Sequence, residues 1–270
     1  MNRIDRAFSA AREEGRRAFI PYITAGDPTL PRTGELVDAL TRAGADIIEL
    51  GIPFSDPLAD GKTNQEAAER ALRGDVSLAR IIELVRDIRT RCDTPLLFFT
   101  YLNPVVKYGI ERFSRDAADA GVDGVLALDM PPEECDELKS ALDAAGLHMI
   151  FLVAPTSTDE RIKAICAKAS GFIYYVSRTG VTGERASLSE DIAEHVAMVR
   201  AESQLPIAVG FGISTPDQVA DVAKIADGVV VGSAIVRRVG AGGDTDEMVR
   251  DVEECVRSLT AGLRGGGEQE

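Results

Sequence analysis

Tryptophan is absent from this 270-residue chain, and histidine occurs only twice, at His148 and His195. With so few imidazoles, a serine or cysteine triad lacks a convincing base and a histidine-rich metal site lacks ligands. His148 opens an apolar run and His195 falls mid-helix, positions suited to core or surface filling. The four cysteines, Cys92, Cys135, Cys166 and Cys255, are scattered with no Cys-x-x-Cys spacing. That suits reduced packing thiols rather than a zinc site or a disulfide framework. Basic residues are outnumbered, 30 against 44 acidic, for a net charge of -14. Such a field repels a phosphate backbone and speaks against nucleic acid as a partner. No apolar run approaches the ~18 residues that a membrane helix needs. The opening "MNRIDRAFSAAREEGRR" is amphipathic and charged, without the apolar core of a signal peptide. The expectation is a soluble, cytoplasmic protein.

What is present is apolar material in short pieces, 45% of the chain in all. The pieces are "AFIPYIT" (18–24), "DIIELGI" (46–52), "PLLFFTY" (95–101), "GVLALDM" (124–130), "MIFLVAP" (149–155), "GFIYYVS" (171–177), "PIAVGFG" (206–212) and "GVVVGSA" (228–234). They are unbroken rather than alternating, which marks strands covered on both faces, as in parallel sheets. Between them lie helix-period segments such as "ELVDALTRAGA" and "ARIIELVRDIRTRC". Repeated βα units leave an open doubly wound sheet or a closed barrel. Eight units in about 250 residues favour the barrel. The expected fold is α/β, one (β/α)8 TIM-barrel domain over 1–264. An extra N-terminal helix closes the bottom with Ile4, Phe8 and Ala11 on one face. The tail 265–270, "GGGEQE", has no reason to be ordered.

Barrel chemistry sits where strands end. The second run exits through Glu49, and alternation puts Ile47, Glu49 and Gly51 on one face, Ile48 and Leu50 on the other. Glu49 then points into the barrel near its top. Burial there raises a carboxyl pKa, which suits acid–base work at neutral pH; the alternative is a salt bridge to a rim arginine. The loop "PFSDPLADGKTNQ" follows, and its Asp60-Gly61 turn either returns Asp60 over the mouth or is an ordinary turn. The sixth run exits into "SRTGVTGERASLSED" (177–191), long and Gly/Ser/Thr-rich, a lid or merely a flexible loop. The seventh and eighth exit through "GFGIST" and "VGSAIV", the loop pair that barrels use for phosphate. Gly210 and Gly212 allow close backbone approach, and Gly232-Ser233 starts a short helix whose N–H groups would hold the anion; a structural role for these glycines is the alternative. Ser214-Thr215-Pro216-Asp217 is a clean helix start. Tyr22, Phe99, Tyr101, Tyr174 and Phe211 lie on or just past strands, either as core or as a wall for a flat apolar ligand.

"FIPYITAGDP", "ELGIPFSDPLADG", "SRTGVTG", "GFGIST" and "GSAIV" occur in this order at strand exits. Together they resemble the tryptophan synthase alpha chain family, over about Phe19 to Val236 plus the flanking helices. The resemblance implies retro-aldol-type cleavage of indole-3-glycerol phosphate to indole and glyceraldehyde 3-phosphate. It implies Glu49 as the acid–base residue and Asp60 as the partner of the indole N–H. Phosphate would rest on Gly183, Gly212, Gly232 and Ser233, and Thr182 of the lid would close toward Asp60. Tyr22, Phe99, Tyr101, Leu126, Tyr174 and Phe211 would contact the substrate. A beta chain carrying pyridoxal phosphate would be the partner, in an alpha2-beta2 heterotetramer. Pro53, Asp56, Asn103 within "YLNPVVKYG" (101–109) and Pro131 would face it, and this chain would hold no cofactor of its own. Lys62 and Asn64 depart from the family's usual "ADGPTIQ": Lys62 is expected to lower the Asp60 pKa, and Asn64 to loosen the apolar wall. Tyr22 stands where phenylalanine is common.

Two rival functions remain at this level. One is another phosphosugar isomerase or aldolase; none of the six lysines sits on a strand at the mouth, which speaks against a Schiff-base enzyme. The other is a non-catalytic regulator of a beta chain.

Overall fold

A computed structural model of the chain describes residues 1–176, 185–210 and 212–264. Eight strands are present: β1 (Ala18–Thr24), β2 (Ile48–Gly51), β3 (Leu96–Thr100), β4 (Gly124–Ala127), β5 (His148–Val153), β6 (Ile173–Val176), β7 (Ile207–Gly210) and β8 (Gly228–Val231). They pair parallel in chain order and close, β8 returning to β1 through Ala18↔Gly228 to Pro21↔Val231. The architecture is the expected (β/α)8 barrel.

The helices are α1 (Arg3–Glu13), α2 (Leu30–Arg42), α3 (Lys62–Leu72), α4 (Leu78–Ile88), α5 (Leu102–Tyr108), α6 (Ile110–Ala120), α7 (Asp136–Ala144), α8 (Asp159–Lys168), α9 (Arg185–Glu202), α10 (Pro216–Ala223), α11 (Ser233–Gly242) and α12 (Asp246–Ala261). The apolar runs overshoot the strands. "GVVVGSA", for example, stops being strand at Val231, because Ser233 already opens α11. The stretch 177–191 is not loop throughout, since α9 begins at Arg185; residues 177–184 and 265–270 lie outside the described residues. "YLNPVVKYG" is largely helical: Pro104 falls in the first turn of α5, where an N–H has no helical partner to lose.

Strand alternation divides the core in two. Ile48, Leu50 and Phe98 pack outward under the helices, while Ile47, Leu97, Leu126 and Ile150 fill the barrel. Ile4, Phe8 and Ala11 of α1 join that inner cluster from below. A capping box of Asn2 with Asp5 starts α1, and Asn2 Nδ2 donates to the Asp123 carbonyl at 2.9 Å. Arg3 and Arg89 both pair with buried Asp123, at 3.0 and 2.7 Å. The bottom of the barrel is thus plugged and polar groups there are paired. The opposite end, where the strands finish, stays open.

Candidate active site

Glu49 sits beside Tyr22 on β1 and Leu97 on β3, with only 1% of its surface exposed. Among the described residues it makes no ion pair, so the rim-arginine alternative fails, and its Oε1 has no hydrogen-bond partner. Burial alone pushes its carboxyl up to about 8. The cost of burying an unpaired carboxylate is avoided by keeping the proton. A cavity of about 260 Å³ opens from it, walled by Tyr22, Phe99 and Tyr174. The Tyr22 and Phe99 rings meet edge to face, 5.2 Å between centroids at 74°. Tyr22 Oη lies 3.3 Å from Thr24 Oγ1. Burial, then the nearby Asp60 charge and more weakly Glu49, hold its phenol well above the usual range. Burial does the same for Tyr174. Leu126 is fully buried in the barrel interior rather than on the cavity wall.

Asp60 is half-buried at the end of the β2–α3 loop. Tyr101 pins it there. Its hydroxyl donates to Asp60 Oδ2 at 3.0 Å and accepts from the Ala59 N–H at 2.9 Å, while its ring lies 5.2 Å from that of Phe54. Tyr101 therefore grips the loop instead of facing the cavity. Burial raises the Asp60 pKa; the hydrogen bonds from Tyr101 and Asn64 oppose the rise. The expectation that Lys62 lowers it is corrected. Lys62 is 90% exposed at the cavity rim, directed toward Glu66 at 3.8 Å, too solvated to govern Asp60. Asn64, also on the wall, plays that part, and its Oδ1 is left without a partner.

The far side of the cavity is backbone. Gly212 lines it with φ 71°, a left-handed conformation that favours glycine. Gly232 is the N-cap of α11, without a side-chain cap, and Ser233 is its first residue; both face the cavity. Gly61, the N-cap of α3, is uncapped in the same way and lines the opposite rim. Two helix N-termini with free N–H groups thus look into one cavity, an anion-binding arrangement. Arg237 lines it as well. Sequence reasoning missed it, although four residues past Ser233 in a helix is a readable spacing. Thr182, Gly183 and Phe211 lie outside the described residues. No group of three metal-ligating side chains occurs among the described residues.

The segments expected to meet a partner surround the mouth. Asp56 and Asn103 are exposed, Pro53 and Pro131 half-buried. Beside them Leu58 is 92% and Val106 54% exposed, apolar side chains in the β2–α3 loop and α5. The Leu102 N–H donates to Asp129 Oδ1 at 2.7 Å, tying the start of α5 to the loop that carries Pro131.

The sequence pattern of the family described as "Tryptophan synthase alpha chain" matches residues 8–264. The tryptophan synthase alpha chain of Citrifermentans bemidjiense is 52% identical over 88% of this chain and 89% of its own. That of Pelobacter propionicus is 48% identical over 98% of this chain and 99% of its own. Among solved structures, tryptophan synthase subunit alpha from Legionella pneumophila superposes with a TM-score of 0.89 at 37% identity. The match covers 98% of this chain and 99% of that one.

Proposed function

The chain belongs to the tryptophan synthase alpha chain family, and from that premise we propose how its residues divide the work. The family's reaction is the lyase cleavage of indole-3-glycerol phosphate to indole and glyceraldehyde 3-phosphate in tryptophan biosynthesis. The bond that breaks joins the indole ring carbon C3 to the first carbon of the glycerol chain. Glu49 begins as the acid and protonates C3, leaving positive charge on the ring nitrogen. Its carboxylate then takes the proton of the adjacent glycerol hydroxyl. As the aldehyde forms, the bonding pair returns to the ring and neutralises it. One residue gives and regains one proton, so no net charge accumulates. The observation that carries this reading is a buried carboxyl, unpartnered at Oε1, with a pKa near 8, facing an aromatic-walled cavity.

Asp60 accepts from the indole N–H and stabilises the ring while it is positive. Its clamp by Tyr101 supports that, because a held carboxylate needs no reorganisation as charge develops. Tyr22, Phe99 and Tyr174 sandwich the ring, and Gly212, Gly232 and Ser233 receive the phosphate on backbone N–H groups.

Family membership implies a beta-chain partner. The finer reading is an alpha2-beta2 assembly, with pyridoxal phosphate on the beta chain and a cytoplasmic location. The exposed Leu58 and Val106 at the mouth support a docking surface there. No helix among the described residues is long and apolar enough to cross a membrane.

The test is to supply indole-3-glycerol phosphate and measure indole, with and without a beta chain. Indole should form in both cases, faster with the partner, since docking orders the loops that hold Asp60. No indole in either case overturns the residue assignment. A flat titration with no complex by sedimentation overturns the partner reading.

A further inference from the structure

We propose that Arg237 reads the substrate's phosphate, its guanidinium leaning back over the N-terminus of α11 to select ligands that carry a dianion. The inference rests on the reading that phosphate lies over Gly212, Gly232 and Ser233. It adds a side-chain charge to what was otherwise a backbone cradle.

Helix geometry supplies the first argument. Ser233 is the first residue of α11 and Arg237 comes four later, so both share a face. Helical side chains tilt toward the N-terminus, which carries the long Arg237 side chain back toward Ser233. Both residues line the same cavity.

Electrostatics supplies the second. A cation within a turn of a helix N-terminus is opposed by the helix dipole. The first turn of α11 contains no acidic residue to compensate, and among the described residues Arg237 makes no ion pair or hydrogen bond. The adjacent Arg238 shows the ordinary solution, pairing with Asp251 of α12 at 3.2 Å. Across the cavity Lys62 repeats the anomaly. It is the first residue of α3, whose first turn also lacks an acid, and its only ion-pair partner among the described residues, Glu66, is 3.8 Å away and half-exposed. Two cations, Arg237 without a partner among the described residues and Lys62 with only a long, exposed one, thus crowd two helix N-termini around one cavity. The one carboxyl that lines it among the described residues, Glu49, lies at the buried end. An anion bound between the helices resolves each of these unfavourable placements at once.

The chain as a whole supplies the third. At a net charge of -14 the protein repels a phosphate ester from most of its surface. Local positive charge at the mouth is what reverses that field. Arginine suits the task, because its planar fork engages two phosphate oxygens together.

The experiment compares Arg237→Gln, Arg237→Lys and Lys62→Gln with Arg238→Gln as the neighbouring control. Three readouts are taken: kcat and KM for indole-3-glycerol phosphate, inhibition by glycerol 3-phosphate, and inhibition by indole. Arg237→Gln should raise KM and weaken glycerol 3-phosphate by about tenfold, with indole inhibition unmoved and kcat affected less than KM. Arg237→Lys should recover part of the loss. Lys62→Gln, more solvated, should cost only about twofold. The kcat/KM of Arg237→Gln should depend less steeply on salt than that of the parent. Equal weakening of indole and glycerol 3-phosphate would make the role structural and overturn the proposal. So would a Ki for glycerol 3-phosphate that matches the parent's. A parent protein that fails to bind glycerol 3-phosphate overturns the phosphate site itself, a result distinct from either.

Discussion

The phenolic oxygen of Tyr22 occupies the space that a side chain on Gly51 would need. Tyr174 stands in the same relation to Gly210, its hydroxyl 2.6 Å from where a Cβ would lie. Two of the three aromatic walls among the described residues therefore have room because the neighbouring strand carries a glycine. Gly51→Ala should drive Tyr22 out of place, costing ~1–3 kcal/mol of stability as overpacking does, and should lower the cleavage rate. Urea denaturation and a double-mutant cycle check this. In a Tyr22→Ala background the Gly51→Ala penalty should shrink by roughly 1 kcal/mol. An unchanged penalty would place the fault in the backbone.

Glu49→Gln keeps the shape and removes the proton. The cleavage rate should fall ~10²–10⁴-fold, toward the upper end because one residue serves two transfers. Substrate affinity should change little. In the parent, kcat/KM should decline as pH rises through about 8, where the buried carboxyl loses its proton. Stability follows the same group. The native carboxyl titrates near 8 against an ordinary 4.5, so between those values the folded state holds a proton that the unfolded chain has released. Stability is therefore lost as pH rises through that window. The stability of Glu49→Gln relative to the parent should grow from about pH 5 to about pH 8.5. The same difference at both pH values would refute the burial of an ionisable Glu49.

Tyr101→Phe should free the Asp60 loop while leaving the cavity wall intact. It deletes the donor to Asp60 Oδ2 and the acceptor for the Ala59 N–H. The lost hydrogen bond had been lowering the Asp60 pKa, so that pKa should climb further. The rate should drop by about tenfold, from misplacement rather than lost binding. Hydrogen exchange at the Ala59 amide should quicken; protection equal to the parent's would show that the clamp is dispensable.

Gly212→Asp places a carboxylate on the cavity rim at a φ of 71° that disfavours any Cβ. Affinity for glycerol 3-phosphate should fall steeply, since like charge now faces the anion. Calorimetric titration measures it directly. Retained affinity would remove Gly212 from the phosphate site.

The barrel was legible because its eight strands are buried on both faces and read as solid apolar blocks. The direction of Glu49 followed from alternation, since Ile48 and Leu50 had to face the helices. What escaped was every relationship carried by tertiary distance. Tyr101 reaches Asp60 across 41 positions, and nothing in "PLLFFTY" says that the ring turns toward the loop rather than the cavity. Lys62 looked close enough to Asp60 to shift it, yet the first turn of α3 points it to solvent. Arg237 was hidden in "GSAIVRR", where two adjacent arginines are chemically identical and only the helix separates their faces.

The pairing of β1 with β8 has a consequence for how the chain comes off the ribosome. The first strand made is closed by the last, through Ala18↔Gly228. Residues at the very start wait on the middle of the chain, since Asn2 donates to the carbonyls of Asp123 and Gly146. Nascent chains shorter than about 228 residues therefore leave two open sheet edges, each a template for a neighbouring chain. Completion of β8 removes both edges in a single event, so premature termination is more hazardous to this fold than to one built from sequential hairpins.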